Sequence, residues 1–110
     1  MNNDAQITPR CPIRTTLEML GGKWRLLLLH QISNGVNRYG ALKRAVPEIS
    51  EKMLTQELKN LVDNGLVHRE NLGEVPPKVI YSLTEMGIKA HELIGPITNF
   101  GLHYMEQQKG

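Results

Sequence analysis

Two amphipathic helical segments separated by a short turn, and followed at once by an alternating β pattern, restrict this 110-residue chain more than any other feature. The second of them lies in SEKMLTQELKNLVDNGLV, Ser50 to Val67. At about 100° per residue, Leu54, Leu58, Leu61 and Val62 form one stripe, the spacing of a buried helical face. Lys52, Met53, Gln56, Lys59, Asn60 and Asp63 fall opposite, with Thr55 on a shoulder. That outer face is basic and amide-bearing near its start and acidic only at Asp63; taken alone, it is what an ordinary solvated helix shows. Ser50 is placed to cap the helix, although Met53 at the third position leaves the capping box incomplete. In the preceding segment, YGALKRAV, Tyr39, Leu42 and Val46 share one face, and Pro47 ends the helix. Pro47-Glu48-Ile49 is then the turn of a candidate helix-turn-helix.

The next segment sharpens this. Leu66 to Asn71 and Lys78 to Leu83 read as strands, with Val79, Tyr81 and Leu83 alternating on one face and the turn-rich LGEVPP between them. Helix, turn, helix and hairpin in that order make a winged helix, so the expected class is mainly α with one small β-hairpin. In such an arrangement the second helix can enter a major groove while the hairpin reaches the flanking backbone or minor groove.

Upstream, Cys11-Pro12 opens a first helix with Ile13, Leu17 and Leu20 at apolar spacing, closed by Gly21-Gly22. Lys23 to Ser33 is apolar almost all round, so it is expected to be the central helix, covered on several sides. Downstream, Thr84-Glu85 caps a last helical region carrying Ile88, Leu93, Ile94, Ile97, Phe100, Leu102, Tyr104 and Met105, with a break or kink expected at Gly95-Pro96. With 40% apolar residues the chain can form one domain with a modest core. So small an interior cannot take all these groups. The region about 85–106, together with the first helix, is therefore expected to cover a second copy in a homodimer; the alternative is that it folds back on its own core. The expected layout is a flexible arm at 1–10 and one domain at 11–106, with the helix-turn-helix at about 39–64 and the wing at about 66–83.

A formal charge of +2 requires that any basic footprint be local. The longest aliphatic run, Leu26 to Leu29, is far short of the roughly 20 residues of a membrane span. The polar first ten residues and the single cysteine lead us to expect a cytoplasmic protein. His30, His68, His91 and His103 are scattered, and neither a nucleophile–base set nor a glycine-rich phosphate loop can be argued from spacing. No enzyme, cofactor or metal is expected; a set of His91, His103 and Cys11 lacks ligand-type clustering.

These features, with Cys11-Pro12, Leu20-Gly21-Gly22-Lys23-Trp24, Ile49-Ser50, Lys52 to Gln56, Leu58, Gly65-Leu66-Val67, Glu74 to Val79 and Tyr81 to Thr84, give a sequence that resembles the HxlR-type regulators, winged-helix transcription factors of bacteria in the MarR-like superfamily. The likeness runs from about Cys11 to Phe100. It implies homodimers that bind DNA and regulate nearby genes, with the first and last helices forming the dimer contact. The chain departs from the family pattern at Leu72-Gly73 in the wing and at Tyr39-Gly40-Ala41 in the third helix.

On the expected DNA surface, Gln56 suits an adenine edge and Lys52 suits guanine acceptors or phosphate, while Thr55 and Met53 offer a hydroxyl and a thymine-methyl contact. Ser50 lies where a helix N-terminus presents N–H groups to phosphate, and Lys59, Arg38, Lys43 and Arg44 can neutralise neighbouring backbone. The wing adds Arg69 and Lys78. Each cation taken singly reads equally well as a solubilising charge. Cys11 would sit at a helix N-terminus between Arg10 and Arg14, a setting that favours thiolate, although a lone cysteine at such a place can equally be an inert, half-buried cap. Resembling proteins often sense oxidants or electrophiles through a cysteine here. Double-stranded DNA with a near-palindromic operator, a second copy of the chain and an oxidant or small-molecule effector are the expected partners, with no membrane. Two other readings stay open: a ligand-responsive repressor in which Cys11 is a bystander, and a protein-interaction adaptor built on the same fold.

Overall fold

A computed structural model describes residues 11–109, so the expected arm at 1–10 lies outside the described residues. The element order is α1 (Pro12–Leu20), α2 (Arg25–Ser33), α3 (Tyr39–Ala45), α4 (Glu51–Asp63), β1 (Val67–Asn71), β2 (Val79–Leu83), α5 (Glu85–His91) and α6 (Ile94–Lys109). The strands form a two-stranded antiparallel hairpin in which Val67 faces Leu83, Arg69 faces Tyr81 and Asn71 faces Val79. This is the expected winged helix.

The core forms around α2. Leu28, Leu29 and Ile32 are buried, and the helix packs against α3, α4, α5 and β2, as its all-round apolar composition demands. From α4, Leu54, Leu58 and Leu61 enter the same cluster, each gaining about 2 kcal/mol from burial. Leu42 and Val46 of α3 join them, and so does Ile49 of the turn, which is only 1% exposed. A residue that deep in a turn anchors it, so the angle between α3 and α4 is set by packing as well as by the Pro47 backbone. Tyr81 is the buried residue of β2, with Val79 and Leu83 packed against the cluster on the same strand face.

Helix ends follow local chemistry. The Ser50 hydroxyl accepts a hydrogen bond from the Met53 N–H at 3.1 Å, capping α4. Thr84 does more: its hydroxyl accepts from the Gly87 N–H at 3.0 Å and donates to the Gly65 carbonyl at 2.6 Å, tying α5 to the end of α4.

Three expectations need correction. The break near the C-terminus falls at Glu92-Leu93, between α5 and α6, not at Gly95-Pro96. Pro96 occupies the first turn of α6, where an absent N–H costs no intrahelical bond. Met53 does not stand wholly outward; it is half-buried and packs on the core, its unbranched thioether filling space at the start of α4. The central helix begins at Arg25 rather than Lys23, with Trp24 as its N-cap.

Apolar surface is left over. On α1, Ile13 and Leu17 are 73% and 62% exposed. No residue of α6 is buried, and Ile97, Phe100, Leu102, Tyr104 and Met105 all face outward from the described chain. The last helix therefore does not fold back on its own core.

Gly87 marks where α5 crosses the start of the hairpin, since a Cβ there would collide with the Leu66 carbonyl oxygen. Gly87→Ala should destabilise the protein by about 1–3 kcal/mol through forced displacement of α5. Thermal denaturation followed by circular dichroism reads this as a lower Tm; a wild-type Tm would show that the crossing can shift freely.

Candidate nucleic-acid interface

The three buried leucines of α4 determine which residues the helix turns to solvent. Ser50, Lys52, Thr55, Gln56 and Lys59 are all exposed. Between this face and the hairpin lies a cleft of about 320 Å3 lined by Tyr39, Thr55, Leu58, Lys59, Val62, Arg69 and Tyr81. Arg69 reaches it because it stands opposite Tyr81 in the hairpin register and so shares its face. A second groove, beside the base of the wing, is lined by Arg38, Tyr39, Gly40, Ala41, Arg44, Pro77 and Val79. The structure thus gathers Thr55, Lys59 and Arg69 in one cleft and Arg38 with Arg44 in the other.

Several of these groups already have partners. The Lys59 ammonium meets the Asp63 carboxylate at 2.7 Å, both well exposed, one turn apart on α4. Such a pair contributes under about 1 kcal/mol, so it can yield to a phosphate. Lys43 is half-buried and donates to the Pro47 carbonyl at 3.1 Å, which spends it partly on holding the turn. Lys78 is half-buried at the entry to β2, while Arg38, the N-cap of α3, and Arg44 are exposed.

Tyr39 belongs to this surface as well, although its place in the apolar stripe of α3 marked it only as core. Its hydroxyl donates to the Glu51 carbonyl at 3.1 Å and lies 3.1 Å from the Thr55 hydroxyl. It therefore links α3 to the first two turns of α4 and holds the Thr55 side chain in place. No signal in the sequence distinguishes a core tyrosine from one whose hydroxyl surfaces between two helices.

Cys11 is the N-cap residue of α1 and its side chain makes no capping bond. It is exposed rather than half-buried. Arg10 lies outside the described residues. Of the histidines, His30 and His91 prove not to be scattered. Their Nδ1 and Nε2 atoms lie 3.2 Å apart, and the Ser33 hydroxyl is 2.9 Å from the same His91 nitrogen, joining α2 to α5. Among the described residues, no group of three or more His, Cys, Asp or Glu side chains is arranged to hold a metal ion. No described helix is long and apolar enough to cross a membrane.

The HxlR-like helix-turn-helix profile matches residues 19–109, spanning both helices of the turn, the wing and the last two helices. The chain belongs to the HxlR-like helix-turn-helix family. The HTH-type transcriptional regulator YdeP of Bacillus subtilis is similar to it, 39% identical over 97 residues that cover 88% of this chain and 76% of the relative. Among solved structures, the redox regulator HypR in its reduced form superposes with a TM-score of 0.83 at 35% identity, covering 90% of this chain and 98% of that one. Reduced YodB, a transcriptional regulator from B. subtilis, gives a TM-score of 0.73 at 34% identity over 84% of this chain and 91% of that one. This HxlR-like protein is a transcriptional regulator with a helix-turn-helix DNA-binding fold, not an enzyme.

In an HxlR-like protein of this geometry, Tyr39→Phe should leave the core intact while removing both hydroxyl contacts between α3 and α4. The expected loss is about 1 kcal/mol, seen as a lower urea midpoint with an unchanged m value.

Proposed function

We propose that this regulator binds double-stranded DNA sequence-specifically as a homodimer in the cytoplasm, with residues 11–106 as its single functional domain. The observation that carries this is the convergence of the polar face of α4 and the wing cation Arg69 on one cleft, beside a second groove holding Arg38 and Arg44. A helix of 13 residues presents its exposed N-terminal half to a groove while cations on both sides meet the flanking phosphates.

Within this proposal, Gln56 reads an adenine edge and Lys52 a guanine or a phosphate. Thr55 and the exposed part of Met53 meet thymine methyl groups, Thr55 through its methyl because its hydroxyl is engaged by Tyr39. Ser50 marks the N-terminus of α4, where free N–H groups face phosphate. Lys59, Arg69, Arg38, Arg44, Lys43 and Lys78 neutralise backbone, Lys43 the least because it also holds the turn. The apolar faces of α1 and α6 pair with those of a second copy, which gives a near-palindromic operator with half-sites about 34 Å apart or a multiple of that.

Cys11 is proposed as the effector site. HypR is a redox regulator by name, and YodB has been solved after diamide treatment. An exposed thiol at the start of a helix with an uncovered apolar face is open to alkylation, to a mixed disulfide with a small thiol, or to a bridge with the second copy's equivalent cysteine. Each modification would alter how α1 sits in the dimer.

Titrating the protein with random and genome-selected duplexes at several salt concentrations tests the reading. Lys78→Ala should weaken binding to both similarly and reduce the salt slope by about one, whereas Gln56→Ala should relax preference at one position with the slope unchanged. Little affinity for any duplex and a flat salt response would favour the protein-interaction adaptor instead. Repeating the titration with diamide, Cys11→Ser should abolish any shift in operator affinity; a full response in that variant would place the sensor elsewhere.

A further inference from the structure

Arg25 is the one charged residue in the first half of the apolar helix α2, and its side chain is only 18% exposed. Its Nε donates to the Glu57 carboxylate of α4 at 2.6 Å. Its Nη1 donates to the backbone carbonyls of Glu18 and Met19, at 2.8 and 3.1 Å, in the last turn of α1. Those carbonyls lie in the last turn of α1, at the negative end of the helix dipole. One guanidinium therefore holds three helices.

The Gly21-Gly22 link makes this possible. A Cβ at Gly21 would strike the Leu17 carbonyl oxygen, and Gly22 has φ +95°, so the chain doubles back sharply enough to bring Arg25 under the end of the helix it has just left. Glu57 is itself only 15% exposed on its side chain and lies beside Gln56 on α4. A lysine could meet the carboxylate or a carbonyl, but it lacks the planar fork that meets both at once. The Tyr39 hydroxyl ties α3 to α4 and His91 ties α5 to α2, and Arg25 makes the directional bonds between α1 and α4.

We infer that Arg25 is a positioning residue that sets the DNA-facing helix α4 against α1, so that the placement of α1 governs the angle at which α4 meets DNA. This rests on the DNA-binding reading above, and gives the exposed apolar face of α1 a mechanical route to the recognition surface. Neither Arg25 nor Glu57 is among the groups proposed to touch DNA.

The test uses the full chain and the Arg25→Met/Glu57→Met double variant, which removes both charges together and leaves no unpaired buried ion. Probes are a random-sequence duplex and the genomic fragment most enriched by the wild-type protein. The double variant should bind the random duplex with wild-type affinity and salt slope, but bind the selected fragment about ten-fold more weakly. Arg25→Lys should fall between the two. Equal affinity of wild type and double variant for the selected fragment would overturn the proposal, as would a uniform loss on both duplexes, the mark of a merely structural bridge. If the wild-type protein binds no duplex, the DNA-binding reading fails by itself. Hydrogen exchange then decides the positioning role: faster exchange in the last turn of α1 and the middle of α4 of the double variant keeps it, and unchanged exchange removes it.

Discussion

The rotation of α4 about its own axis is the constraint on which the rest of the molecule depends. Leu54, Leu58 and Leu61 can be buried against Leu28 and Leu29 of α2 in only one orientation, because the three share a single stripe. That orientation turns Lys52, Gln56 and Lys59 outward. It also places Glu57 beside Arg25 and Thr55 beside Tyr39, so two polar contacts reinforce what apolar burial has chosen. The same cluster holds Tyr81, which orients the hairpin and brings Arg69 over the cleft. Core and proposed recognition surface are thus two faces of one packing decision.

A chain this short cannot bury all its apolar groups by itself. The interior is filled by α2, α3, α4, the base of the hairpin and Leu20 and Ala90 at the ends of α1 and α5. What remains is concentrated on α1 and α6, where Ile13, Leu17 and Phe100 are each more than half exposed. In the proposed homodimer this surface is what the second copy covers.

Much of this was legible in the sequence because strong periodicity survives translation into structure. The stripes of α3 and α4, the alternation of Val79, Tyr81 and Leu83, and the Ser50 cap all report local geometry that does not depend on distant partners. The family resemblance added the meaning of their order. What escaped were pairings across the chain. His30 and His91 are separated by 61 positions, and Arg25 and Glu57 by 32, and no local spacing encodes such contacts. Met53 was misplaced for a related reason: a flexible side chain at the edge of a stripe goes where neighbouring elements leave space. The break falls one turn before Gly95-Pro96 because the first turn of α6 accommodates Pro96, although proline breaks a helix elsewhere.

By itself the sequence determined the kind and order of elements and the inward face of each periodic helix, because these follow from apolar spacing, caps and turn residues within a few positions of one another, while its motifs carried the family resemblance. Only the tertiary structure decided which side chains meet between elements: Arg25 with α1 and α4, Tyr39 with Thr55, Arg69 with the cleft, and α6 left uncovered. The physical reason is that burial of a stripe specifies a helix's rotation, whereas a contact between polar groups also requires the distance and angle between two helices. Those are set by the whole core at once.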